Sequence, residues 1–160
     1  MAESTKAANF FVSTVKPTVN EFLNDERNIR RGRLASIVLY HMADYWNLEC
    51  CASTDRAVIN SSLDKLRVEL ISRCPDFSVI RDVADASKHA KLFDSKKLPR
   101  ELSSSEQITR PPGGFETPFG TAVFNEASIV MITLDNGTVR PLLGAVQSVL
   151  SMWENMLSAG

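Results

Sequence analysis

The chain has 160 residues, 44% hydrophobic and 23% charged, which is enough apolar material for the core of one domain. Its formal net charge of -1 excludes the overall positive footprint of a protein that coats nucleic acid, so a polyanion would have to meet a local patch. A polar start carrying Glu3 and Lys6, and apolar runs such as Ile129–Thr133 that are far shorter than the roughly 20 residues of a membrane span, lead to the expectation of a cytoplasmic, non-membrane protein.

Phe11, Val15, Val19 and Phe22, three and four residues apart, predict a helix over Asn9–Leu23, and Pro17 inside it calls for a kink or a new start. From Glu26 to Glu49 the positions Leu34, Ile37, Val38, His41, Tyr45 and Leu48 recur at helical spacing. They predict a long central helix with this stripe facing the core. After an exit turn over Cys50–Asp55, a third helix starts from Thr54 or Asp55 as N-cap, carries Ile59, Leu63, Leu66 and Leu70, and stops at Pro75. Asp76 caps a fourth helix to about Phe93, whose small apolar face of Ile80, Val83, Ala84, Ser87 and Ala90 allows close helix packing.

Ser-, Pro- and Gly-rich residues 94–120 predict a long surface connection. Thr121–Phe124, Ile129–Leu134 and Thr138–Arg140 read as short strands, with Asn136-Gly137 suited to a two-residue type I′ turn. Pro141 opens a closing helix with Leu142, Val146, Val149, Leu150, Trp153 and Leu157 on one face. The expected architecture is a mainly α single domain over 1–160. It comprises a bundle of about five helices, with 5–93 first, the connection 94–120, a small antiparallel sheet over 121–140 and a closing helix over 141–158.

Cys50, Cys51 and Cys74 form an odd set, and the first two are adjacent, so all three are expected to be reduced thiols. No C-x-x-C pair suggests a structural zinc, and the G-x-S-x-G, P-loop and G-x-G-x-x-G signatures are all missing.

Chemistry that needs an imidazole must use His41 or His89, the only histidines. His41 falls on the apolar stripe with Asp44 three residues on, while Asp82, Asp85 and His89 line one face of the fourth helix, opposite its small residues. If the two faces meet, His41, Asp44, Asp85 and His89 would form a two-histidine, two-carboxylate set suited to zinc, manganese or iron, with Asp82 as a further oxygen donor. The structural alternative is a core His41 satisfied by Asp44 and an ordinary solvated face on the fourth helix. Basic residues gather at Arg27, Arg30, Arg31 and Arg33 and again from Arg81 through Lys88, Lys91, Lys96 and Lys97 to Arg100. Such groups bind phosphates or simply form solvated surface.

The run Ile80-Arg81-Asp82-Val83-Ala84-Asp85-Ala86-Ser87-Lys88-His89 places an arginine and then a histidine on one helix of a small bundle, and in this it resembles the HEPN superfamily. The resemblance covers about the first ninety residues. It implies a helical, often dimeric domain that acts as a metal-independent ribonuclease through an arginine, a polar residue and a histidine, here Arg81, Asp82 and His89. Seven residues separate Arg81 from His89 where the motif leaves about four to six, and a step of eight turns the two side chains about 80° apart. The expected function is therefore a HEPN-like nucleic-acid-processing or nucleotide-binding homodimer with RNA or a nucleotide as partner. The alternatives are a metal-dependent bundle using His41, Asp44, Asp85 and His89 with a divalent cofactor, or a non-catalytic dimeric interaction protein.

Overall fold

The computed structural model describes residues 5–93, 98–112 and 128–159. The described elements are α1 (Lys6–Phe10), a π-helical turn (Phe11–Val15), α2 (Lys16–Leu23), α3 (Ile29–Cys50), α4 (Arg56–Arg73), α5 (Asp76–His89), a 3-10 turn (Ser105–Gln107), β1 (Ile108–Thr109), β2 (Met131–Thr133), β3 (Val139–Pro141) and α6 (Leu142–Ala159). This is a bundle of helices with a small three-stranded antiparallel sheet of order β1-β2-β3 before the last helix, as the sequence predicts. The strand expected over Thr121–Phe124 lies outside the described residues. No helix is long and apolar enough to cross a membrane among the described residues.

The second helix starts at Lys16, one residue before Pro17, and the helical run continues through this point without a break. The backbone N–H of Lys16 donates to the carbonyl of Phe11, five residues back, so the wider π turn takes the chain into α2, where Pro17 occupies the first turn. The rod buries Ala7, Phe11, Val15, Val19 and Phe22 against α3. Asn28 caps α3 by accepting from the N–H of Arg31, and Asp55 caps α4 by accepting from that of Ala57 at 2.8 Å.

The buried face of α3 is not the stripe of large residues. Gly32, Ala35, Ser36, Leu39, Tyr40, Met42, Ala43 and Asn47 are buried, whereas Leu34, Tyr45 and Leu48 are exposed and Ile37, Val38 and His41 half-buried. The small residues win because α3 is ringed by α1, α2, α4, α5 and α6, and neighbours on so many sides need a narrow axis. At Gly32 an added Cβ would lie 2.9 Å from Leu142 and 3.1 Å from Phe22. The indole of Trp153 on α6 is fully buried and donates from Nε1 to the Leu39 carbonyl at 3.1 Å, tying the last helix to the centre of α3.

Packed most extensively on α3, α5 is buried on every side from Phe77 to Ala84. It ends sooner than Phe93 because Ala90 takes φ 59° and ψ -47°, and the N–H of Lys91 then reaches back to the His89 carbonyl at 2.6 Å. That is a strained three-residue turn at a non-glycine position. The chain returns antiparallel to it: Leu92 N–H donates to Ser103 at 2.7 Å and Ser105 N–H to Ala90 at 2.7 Å. Ala90 is exposed, so removing its methyl group sacrifices no packing. Ala90→Gly is therefore expected to stabilise the fold by about 1 kcal/mol, read as a higher urea midpoint at unchanged m-value.

Part of the long connection is more ordered than predicted. Gln107 closes a capping box with Ser104, and β1 follows at once, pairing Ile108 with Ile132. The β2–β3 hairpin also differs from expectation. Of Asn136 and Gly137, only the glycine has a positive φ, at 86°, while Gly137 N–H donates to Leu134 and Leu134 N–H to Thr138. The loop is thus one residue longer than a type I′ turn, with Gly137 supplying the left-handed position that a bulged hairpin needs. Pro141 ends β3 rather than beginning α6.

Candidate functional site

Asp82, for which the structural alternative was a solvated face, is fully buried. The reason is tertiary: residues 98–102 return as a strap across the outer face of α5. Asp82 Oδ2 accepts the backbone N–H groups of Glu101 at 2.7 Å and Leu102 at 3.3 Å, and its Oδ1 accepts from Arg81 Nε at 2.8 Å and Arg100 Nη1 at 3.0 Å. Arg81 Nη2 donates to the Pro99 carbonyl at 2.7 Å, and Arg100 also bonds Asp85 at 3.1 Å. Ser78 adds a hydroxyl contact to Glu101. With both oxygens engaged inside the protein, Asp82 positions the strap and the two arginines.

The strap forms one wall of a cleft of 430 Å³. Tyr40 from α3, Ser61, Asp64, Lys65, Arg67 and Val68 from α4, Arg81 and Asp85 from α5, and Leu98 and Arg100 from the strap line it. Arg67 lies over the Tyr40 ring at 5.1 Å and holds Asp64 at 3.6 Å and Asp44 at 3.9 Å. Two buried guanidinium nitrogens lack a hydrogen-bond partner here, Arg81 Nη1 and Arg67 Nε, although the Arg81 side chain is only 5% exposed. Donors left unpaired in such a place suit an acceptor that the protein does not supply.

Burial pushes the Tyr40 hydroxyl above its ordinary value of 10.0; Asp85 and Asp44 add to the rise, and Arg67 and Arg81 oppose it. A phenol whose folded pKa is raised keeps its proton in the native state while the unfolded chain loses its own. It contributes nothing below about pH 10 and costs stability as the pH climbs from there. Tyr40→Phe is accordingly expected to lose less stability than the wild type between pH 9 and pH 11, compared by urea midpoints.

The predicted four-residue metal set does not assemble. His41 Nδ1 donates to the Asp44 carboxylate at 2.8 Å, and its Nε2 accepts from Lys88 Nζ at 2.9 Å, so both ring nitrogens are taken. Asp85 turns to Arg100, and His89 is exposed at the last turn of α5. No group of three or more His, Cys, Asp or Glu is placed to hold a metal ion among the described residues. The two helices do meet at His41, but through Lys88 of α5 in place of an ion.

Of Arg81, Asp82 and His89, only Arg81 lines the cleft. His89 stands about 12 Å further along the helix axis. His41 is nearer in connectivity, since Asp44 joins it to Arg67. Sequence reading missed Arg67, Lys65 and Tyr40 as site residues. The available signal was an arginine flanked by Leu66 and Val68 and one turn from Leu63 and Leu70. In comparisons with protein-family models, curated proteins and solved structures, nothing matches the chain.

Proposed function

We propose that this domain binds a phosphate-bearing ligand, a nucleotide or RNA, in the cleft between α4, α5 and the strap. The observation that carries the reading is that Arg81 and Arg67, each with a buried guanidinium nitrogen that has no hydrogen-bond partner (Nη1 and Nε), line one cleft together with Lys65 and Arg100. A guanidinium held by a short carboxylate bond, as Arg81 is by Asp82 at 2.8 Å, presents fixed N–H directions to phosphate oxygens, and such charge-assisted bonds are about twice as strong as neutral ones. The ligand class agrees with the HEPN resemblance of the α5 run. The cleavage step does not enter the proposal, because His89 is not among the residues lining the cleft.

Thermal unfolding in the presence of adenosine monophosphate, a short RNA, and adenosine as the phosphate-free control tests the reading. A ligand at about 100 times its Kd adds about 2.7 kcal/mol to stability. A concentration-dependent rise in Tm with the phosphate-bearing compounds and none with adenosine is expected, and His89→Ala should leave that rise unchanged. Equal shifts with all compounds, or no shift with any, would remove the phosphate-binding reading.

A further inference from the structure

We infer that the ligand of this cleft is a single nucleoside monophosphate carrying a terminal phosphate, not a continuous nucleic-acid strand; the inference rests on the phosphate-binding reading above. Charge is the first argument. Lys65, Arg67, Arg81 and Arg100 bring four positive charges, but Asp44, Asp64, Asp82 and Asp85 pair with or stand beside them, so the cluster is balanced. A strand is held by a surplus of cations that neutralise several phosphates in a row. Among the buried donors of the cleft's arginines, one Nη1 and one Nε are left without a carboxylate, and the exposed Lys65 also lines the cleft. Such a supply suits a single phosphate group, and a terminal monoester, with one more unshared oxygen and more negative charge than a chain-internal diester, offers it more acceptors.

Size is the second argument. A volume of 430 Å³ lies in the lower part of the range of about 300–1,000 Å³ for small-molecule sites. The strap that forms one wall is fixed by Asp82 and Arg81, so the cleft cannot widen on that side without breaking those bonds. The third argument is the wall chemistry. Val68, Leu98 and the Tyr40 ring, over which Arg67 lies, add apolar surface to the charged lining. A ring beside a phosphate is a ligand shape that such a mixed lining accepts.

Isothermal titration of the whole chain with adenosine monophosphate, adenosine, inorganic phosphate, and an RNA of about 12 nucleotides with and without a 5′-phosphate tests the inference. Adenosine monophosphate is expected to bind at least roughly tenfold more tightly than adenosine or inorganic phosphate alone. The 5′-phosphorylated RNA should exceed its 5′-hydroxyl form by a similar factor. A salt dependence with a slope of about -1, the value for one phosphate contact, is expected for the monophosphate. Lys65→Gln, at an exposed position that holds no helix in place, should weaken it by roughly 3- to 10-fold with unchanged circular dichroism. RNA that binds equally well without its 5′-phosphate, with a steep salt slope, would overturn the single-nucleotide inference and leave the phosphate-binding reading standing. Failure of every probe, inorganic phosphate included, would overturn that reading itself.

Discussion

Replacing Asp82 with alanine is expected to cost about 3–5 kcal/mol of folding stability, the range for removing one partner from a buried ion pair. Its carboxylate is fully buried between Arg81 and Arg100 and also receives two backbone N–H groups from the strap. Removal leaves the buried Arg81 guanidinium with only the Pro99 carbonyl, and the amides of Glu101 and Leu102 without acceptors. Asp82→Asn keeps the volume but withdraws the charge, and it is expected to lose most of the same stability. The double variant Asp82→Ala with Arg81→Met should recover part of the loss, because the uncompensated charge then disappears as well. Urea unfolding followed by circular dichroism measures all three, and a loss under 1 kcal/mol for Asp82→Ala would contradict the strap's dependence on this carboxylate.

Arg67→Met is expected to weaken adenosine monophosphate binding by roughly 10- to 100-fold, the equivalent of one hydrogen bond to a charged group. Methionine keeps the apolar stem that lies on Tyr40 while removing Nε and both Nη atoms. The ion pairs lost with Asp64 and Asp44 are long, 3.6 and 3.9 Å, and partly exposed, so stability should fall by no more than about 1 kcal/mol. Binding loss well beyond stability loss separates a ligand contact from a scaffold role. The comparison is with Arg73→Met, one to two turns on along α4, whose guanidinium pairs with Glu69 and does not line this cleft; binding should be unaffected there.

What the sequence revealed and what it hid follow one physical division. Local signals were legible: Asp55 as an N-cap, Pro75 at the end of α4, the apolar face of α6, and the Gly137 turn as the point of chain reversal. The interrupted first helix was legible as a problem at Pro17 but not in its solution, because a π turn differs from a kink only in which carbonyl a single N–H chooses. On α3 the expected apolar stripe is exposed or half-buried, and the core runs along Gly32, Ala35, Leu39, Met42 and Ala43 instead. Hydrophobic spacing assumes one buried face, and a helix with neighbours on several sides does not have one.

The site failed to show itself for a related reason. Asp82 and Arg81 sit on what amphipathic logic makes a solvent face, and only the strap, 18 to 20 residues away in sequence, covers them. Nothing in residues 98–102 announces that return. His41 needed a partner, as a polar group on an apolar stripe does, and found Asp44 together with Lys88 across the helix pair. The second partner is a cation where the sequence suggested a metal. Arg67 escaped notice because its role depends on Tyr40 and Asp44 of another helix, not on its own neighbours.

Arginine side-chain ¹⁵N NMR during titration with adenosine monophosphate, with adenosine as control, tests the central claim most directly. Saturable shifts of the Arg67 Nε and Arg81 guanidinium signals at one common Kd, and none with adenosine, are the expected result. Shifts confined to Arg27, Arg30 or Arg73, or no saturable shift at any arginine, would contradict a phosphate site in this cleft.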